Sequence, residues 1–144
     1  MAIKLGLEGK LYRNVGTYGS PSWTEIVNVT DVTTNLTKAM ADITTRANNG
    51  WRSQRGTLKE GEVTFEMFAD GGADFRFFMD AYQANEVVEL LALDGPESTP
   101  GNEGLRATFD VADMSRTEAL EEGIKYSVKL VVTTGENAPE WYIS

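Results

Sequence analysis

The chain has 144 residues, carries 22 Asp and Glu against 13 Lys and Arg for a net charge of −9, and contains neither cysteine nor histidine. That length predicts a single domain over residues 1–144, large enough to bury a core without disulfides or metal. The missing thiols exclude disulfide frameworks, zinc–thiolate sites and cysteine nucleophiles; the missing imidazoles remove the commonest general base, Ser-His-Asp triads and most transition-metal sites.

From the N-terminus, "IKLGLEGKLY" alternates and predicts a strand with Ile3, Leu5 and Leu7 on one face. It lacks the continuous apolar run of a secretion signal, and no stretch of the chain is long and apolar enough to span a membrane, so a cytoplasmic start is expected. "NVGTYGSPS" predicts a turn or loop. "WTEIVNVTDVTTNLT" is dense in β-branched residues and predicts one long or two short strands. Residues 38–57 have weak periodicity and scattered Gly and Asn, which predicts an irregular segment, a long loop at about 38–58. "GEVTFEMFA" predicts a strand with Val63, Phe65 and Met67 facing one way and Thr64 and Glu66 the other.

In "GGADFRFFMDAYQAN" the period changes: Phe75, Phe78, Met79 and Tyr82 fall on one face of a helix laid on a sheet, capped by Asp70 or Gly72, with Asp74 near its positive end. "VVELLALDG" returns to strand, and "PESTPGNEG" predicts a mobile loop. "LRATFDVADMSR" is a strand whose alternation slips at Val111–Ala112, the sign of a bulge. "GIKYSVKLVVTT" directs Tyr126, Val128, Leu130 and Val132 inward, and a C-terminal arm follows at about 135–144. Seven or eight strands, one helix and no βα alternation predict a mainly β fold: an antiparallel β-sandwich or open barrel with one flanking α-helix.

Charge is unevenly placed. Lys38 to Lys59 holds five basic residues against Asp42 alone, a balance of +4, whereas Glu60 to Glu122 holds sixteen acids against Arg76, Arg106 and Arg116, a balance of −13. A basic segment on an acidic body is complementary between copies, although a solvated surface has the same composition. An acidic chain is a poor ligand for nucleic acid.

Paired carboxylates are the catalytic option left, Asp110 with Asp113 or Glu121 with Glu122, and in a chain this acidic such pairs arise by accident. Asp94, Glu97 and Glu103 sit among glycines but lack the ligand spacing of a calcium loop. "NVT" at Asn28 and "NLT" at Asn35 fit the glycosylation triplet, without a secretion signal beside them. No phosphate-binding glycine loop is present. Trp23, Trp51 and Trp141 could form sugar platforms, or equally half-buried packing or interface anchors. No enzyme activity, cofactor or metal is expected.

Four stretches together resemble the tail tube (major tail) proteins of long-tailed bacteriophages. They are the opening segment with its Gly-Thr-Tyr turn leading into "WTEIVNVTDVTTNLTKA"; "ADITTRANNGWRSQRGTLKEGEVTFEM"; the helix "GADFRFFMDAY"; and "GLRATFDVADMSRTEALEEGIKYSVKL" running into "APEWY". The resemblance implies a structural virion protein that self-assembles: six copies form a ring, rings stack into a hollow tube, and one sheet from each subunit joins a barrel around the lumen. It implies contact with the neighbouring ring through a long loop and the termini. It also implies passage of DNA without specific binding, partnership with tape-measure, tail terminator and baseplate or tail-tip proteins, and a place in the virion tail after assembly in the bacterial host cytoplasm. The inner tubes of contractile injection and type VI secretion machines share the fold and form the alternative reading; a β-sandwich glycan-binding module is the alternative from another class. Arg46, Asn48, Asn49, Gly50, Trp51, Arg52, Arg55, Lys59 and Trp141 are the expected ring-stacking contact, with Asn48, Asn49 and Gly50 as the turn that presents it.

Overall fold

A computed structural model describes residues 3–133 and 137–144. One antiparallel sheet of eight strands carries the fold. The strands are β1 (Lys10–Asn14), β2 (Trp23–Glu25), β3 (Val29–Asp42), β4 (Gln54–Phe68), β5 (Val87–Leu93), β6 (Glu103–Thr117), β7 (Lys125–Val132) and β8 (Glu140–Ile143), with a helix, α1 (Ala73–Ala84), between β4 and β5. The order is β2-β1-β5-β6-β7-β4-β3, and β8 pairs with β6 off this path.

The long strand β6 belongs to both halves of the sheet. Its first half lies between β5 and β8, with Leu105 opposite Ala92 and Trp141; its second half pairs with β7 from Phe109↔Val132 to Thr117↔Lys125. The register slips between Val111 and Asp113, where the broken alternation predicts a bulge. Alternation then directs one face of each half onto a common core. Val63, Phe65 and Met67 of β4, Phe109 and Val111 of β6, and Tyr126, Val128 and Leu130 of β7 are all buried. The helix closes this core, with Phe78 against Phe65 at 5.3 Å between ring centroids and Phe75 stacked on Tyr126 at 3.6 Å. Arg13 fixes the helix start to β1 through Asp74 at 3.0 Å.

Five expectations need correction. Ile3, Leu5 and Leu7 are exposed and unpaired, and the first strand begins at Lys10; alternation describes a possible strand face but supplies no edge to pair with. The helix buries Phe78 and Ala81 while Tyr82 is exposed. Phe77 packs edge-on against Phe78 under Arg13, and the buried face runs through Phe78 and the small Ala81 while Tyr82 turns outward. Gly72 is the N-cap, and the Asp70 carboxylate accepts its N–H. The "PESTPGNEG" loop is extensively bonded: the Asn102 amide donates to the carbonyls of Pro96 and Thr99, Tyr12 accepts from the Glu97 N–H, and Tyr142 donates to the Glu97 carboxylate. The segment expected as a C-terminal arm is the paired strand β8 from Glu140 onward, and its Ser144 N–H donates to the Asn102 carbonyl; residues 135–136 lie outside the described residues.

The largest correction concerns residues 38–58. Residues 38–42 and 54–58 are strand, and only 43–53 connect them. β4 pairs with β7 only from Glu62 onward, so residues 54–61 have β3 as their strand partner among the described residues. Eight residues at roughly 3.3 Å each project the hairpin about 25 Å past the end of β7. Residues 54–60 are exposed on both faces, so burial imposes no alternation there, and the segment reads as irregular.

Candidate subunit-contact surface

The molecule has two poles along the β6–β7 ladder. One carries the free hairpin; the other carries the connection 118–124 between β6 and β7. At the hairpin tip a short 3-10 turn runs over Arg46–Asn48. The Asn48 side-chain oxygen accepts from the Thr45 N–H at 2.6 Å and hydroxyl at 3.2 Å. Asn49 and Gly50 then take positive φ values of 53° and 82°, the left-handed backbone that Asn and Gly tolerate. This turn ends in Trp51, which is 78% exposed. Thr44 and Ser53 close the base of the loop, the Ser53 N–H donating to the Thr44 hydroxyl at 2.8 Å and the Ile43 N–H to the Ser53 carbonyl. The Asp42 carboxylate accepts from Thr44, and these hydrogen bonds hold its pKa below the ordinary aspartate range.

Ion pairing divides the cations by region. Lys4, Lys10, Arg13, Arg106, Arg116, Lys125 and Lys129 each meet a carboxylate. Lys38, Arg46, Arg52, Arg55 and Lys59 of the hairpin do not do so among the described residues, nor does Arg76 of α1, and all six are exposed. Lys38 and Lys59 are direct cross-strand partners on one face, an arrangement that repels in the isolated chain.

The expected contact residues separate into two groups. Arg46, Asn48, Asn49, Gly50, Trp51, Arg52 and Arg55 lie at or near the tip. Lys59 and Trp141 come together lower down, lining a groove of about 600 Å³ at the hairpin base. The sequence reading missed this groove. Leu36, Lys38 and Lys59 line one wall and Leu105, Val132 and Trp141 the other. By strand parity these side chains lie on the same faces as Val63 and Phe109, so the groove is the open end of the space that the core fills below. Glu60 alternates to the outer face of β4, and Glu140 turns to the opposite face of β8 toward Arg106, at 3.5 Å.

Arg106 is 7% exposed and sits behind that wall. It donates to Glu89 at 2.6 Å and to the Tyr18 carbonyl at 2.8 Å, and lies against the rings of Tyr18 and Trp23. Glu89 also accepts from Asn14. This knot ties the 15–22 loop over β5 and β6, and it accounts for Trp23 as packing.

Asp94 and Glu97 of the calcium candidate take structural parts. Asp94 accepts from Lys4 and from the Glu103 N–H, and the bond to Lys4 is the main cause of its lowered pKa. Burial, followed by the Glu97 charge, raises the Tyr142 hydroxyl pKa. Among the described residues no group of three or more Asp or Glu is arranged to hold a metal, and no helix is long and apolar enough to cross a membrane.

No family model matches the sequence, and no curated protein matches it. Solved structures do match in fold. A chain from the tail of an empty GTA particle, refined with C6 symmetry, aligns over 99% of this chain and 99% of its own, with a TM-score of 0.75 and 11% identity. The SPP1 tail tube aligns over 99% of this chain and 80% of its own, with a TM-score of 0.76 and 10% identity. A chain of the anti-feeding prophage (AFP) baseplate aligns over 99% and 97%, with a TM-score of 0.68 and 6% identity. Over nearly its whole length, therefore, this chain has the fold of subunits from a tail tube, a gene transfer agent tail and a prophage baseplate.

Proposed function

We propose that the chain is a structural tail-tube subunit that closes into six-membered rings, stacks them into a hollow tube, and conducts DNA without binding it. The fold shared end to end with the C6-symmetric GTA tail and the SPP1 tail tube carries this reading. The isolated chain adds physical support. A hairpin whose five cations have no ion-pair partner among the described residues stands at one pole of an acidic body, a polarity suited to a repeated head-to-tail contact, which generates an open filament. Each exposed ion pair contributes only about 0–1 kcal/mol, but one such contact per subunit is multiplied around a ring. Tape-measure and terminator proteins would occupy and close such a tube, and the virion tail would be its location.

Negative-stain microscopy of concentrated protein across a salt series tests the reading. Rings or tubes that lengthen as salt falls are the expected result. Monomers under every condition, even with tape-measure protein added, would overturn it. The match to the AFP baseplate supports a second reading, the inner tube of a contractile injection apparatus; a sheath gene beside this one would favour it.

A further inference from the structure

Resting on the tube reading, we propose that the groove at the hairpin base receives the β6–β7 connection of the next copy, with Leu120 as its apolar plug. Leu120 is 101% exposed, more than any other large apolar residue among those described. It stands on a tight turn, where the Glu122 N–H donates to the Ala119 carbonyl, and it is bracketed by Glu118, Glu121 and Glu122. Glu118 already pairs with Arg116 at 2.5 Å. Glu121 and Glu122 have no ion-pair partner among the described residues.

The groove has the complementary character. Its inward side chains are apolar, Leu36, Leu105, Val132 and Trp141, and among the described residues its charged groups on that face are Lys38 and Lys59. Two cations held opposite each other repel in the free chain, and two incoming carboxylates would relieve that repulsion. The 600 Å³ space is ample for a leucine side chain, and filling it would extend the apolar core past Leu105. The turn and the groove lie at opposite ends of β7, about 25 Å apart at roughly 3.3 Å per residue, so the turn of one chain cannot reach its own groove. The contact must run between copies, head to tail, in the direction that stacking requires. The hairpin tip, farther out, would then lie along the flank of the copy whose turn is seated.

The absence of cysteine allows a direct test. Leu36→Cys combined with Leu120→Cys places a thiol on each side of the contact at exposed positions, 58% and 101% accessible. A disulfide needs Cα atoms within roughly 4.4–6.8 Å, which excludes bonding within one chain. Under mild oxidation, assembled tubes of this variant should give a ladder of covalent oligomers on a denaturing gel, whereas Leu36→Cys with Tyr82→Cys should give none. Tubes that form normally but yield no ladder overturn the contact and leave the tube reading standing. Failure of the unmodified chain to assemble at any salt concentration removes the tube reading and this contact with it.

Discussion

The body and the hairpin solve opposite problems. In the body one face each of β4, β6 and β7 is buried in a shared core, and all seven paired cations lie on β1, β6, β7 or the segment before β1, matched to carboxylates within the same chain. Beyond Glu62 the same β4 strand leaves the core and keeps its backbone bonds to β3, but its side chains stay exposed and its cations meet no carboxylate among the described residues. A two-stranded ribbon of this kind is marginal in water. The difference teaches where to look for a second copy: seven of the body's eight cations are paired within the chain, whereas the hairpin and the groove at its base present unmatched positive charge and apolar surface together.

The sharpest way to break the comparison is to damage the body. Phe65 is 1% exposed and packs against Phe78. Phe65→Ala is expected to cost about 3–5 kcal/mol, the transfer term plus the cavity left behind, in chemical denaturation. A loss below about 1 kcal/mol would mean that the two halves of the sheet do not share one core.

Arg106→Ala comes next. It leaves the half-buried Glu89 with Asn14 as its remaining side-chain donor and frees the loop that Tyr18 anchors. Breaking a buried pair from one side costs about 3 kcal/mol. Arg106→Met together with Glu89→Leu should recover most of that loss, and if it does not, the stacking on Tyr18 and Trp23 matters more than the charge.

The same contrast explains what could be read in advance. Val63, Phe65 and Met67, and Tyr126, Val128 and Leu130, alternate because one face of each strand is buried, and even the bulge near Val111 leaves its mark as a slipped alternation. The arginines around Asn48–Gly50 stood out against an acidic chain, and the backbone of Asn49 and Gly50 follows from residue type. The hairpin strands could not be read, because a ribbon exposed on both faces carries no periodic signal. The groove could not be read either. Leu36, Lys38, Lys59, Leu105 and Trp141 are scattered over the sequence, and only the β3–β4 register and the shared strand β6 bring them together. Ile3, Leu5 and Leu7 show the reverse error, a strand pattern with no neighbouring edge.

A milder change sharpens the comparison from the hairpin side. Arg52→Glu with Arg55→Glu alters two exposed residues that lack an ion pair among those described. Stability of the isolated chain should change by no more than about 0.5 kcal/mol. Assembly should stop at rings, because the tip would then repel the acidic flank of the next copy. Tubes of ordinary length from this variant would refute docking through the tip, and an altered melting transition would show that the arginines serve the fold instead.

The smallest effect concerns the loop that holds the tip in shape. Asp42 accepts from Thr44, and those hydrogen bonds lower its pKa in the folded chain. For a carboxyl group whose folded pKa is depressed, the stabilising contribution is complete above the unfolded value and is lost as pH falls through the folded one. The Thr44 amide resonance should therefore move with a midpoint below the ordinary aspartate value. The buried body is unaffected by this titration, because Asp42 is wholly exposed and lies past the last β4–β7 pair. A Thr44 shift centred at the ordinary aspartate value would mean that the bond is not held in solution. The tip would then be presented by the Asn48, Asn49 and Gly50 turn alone.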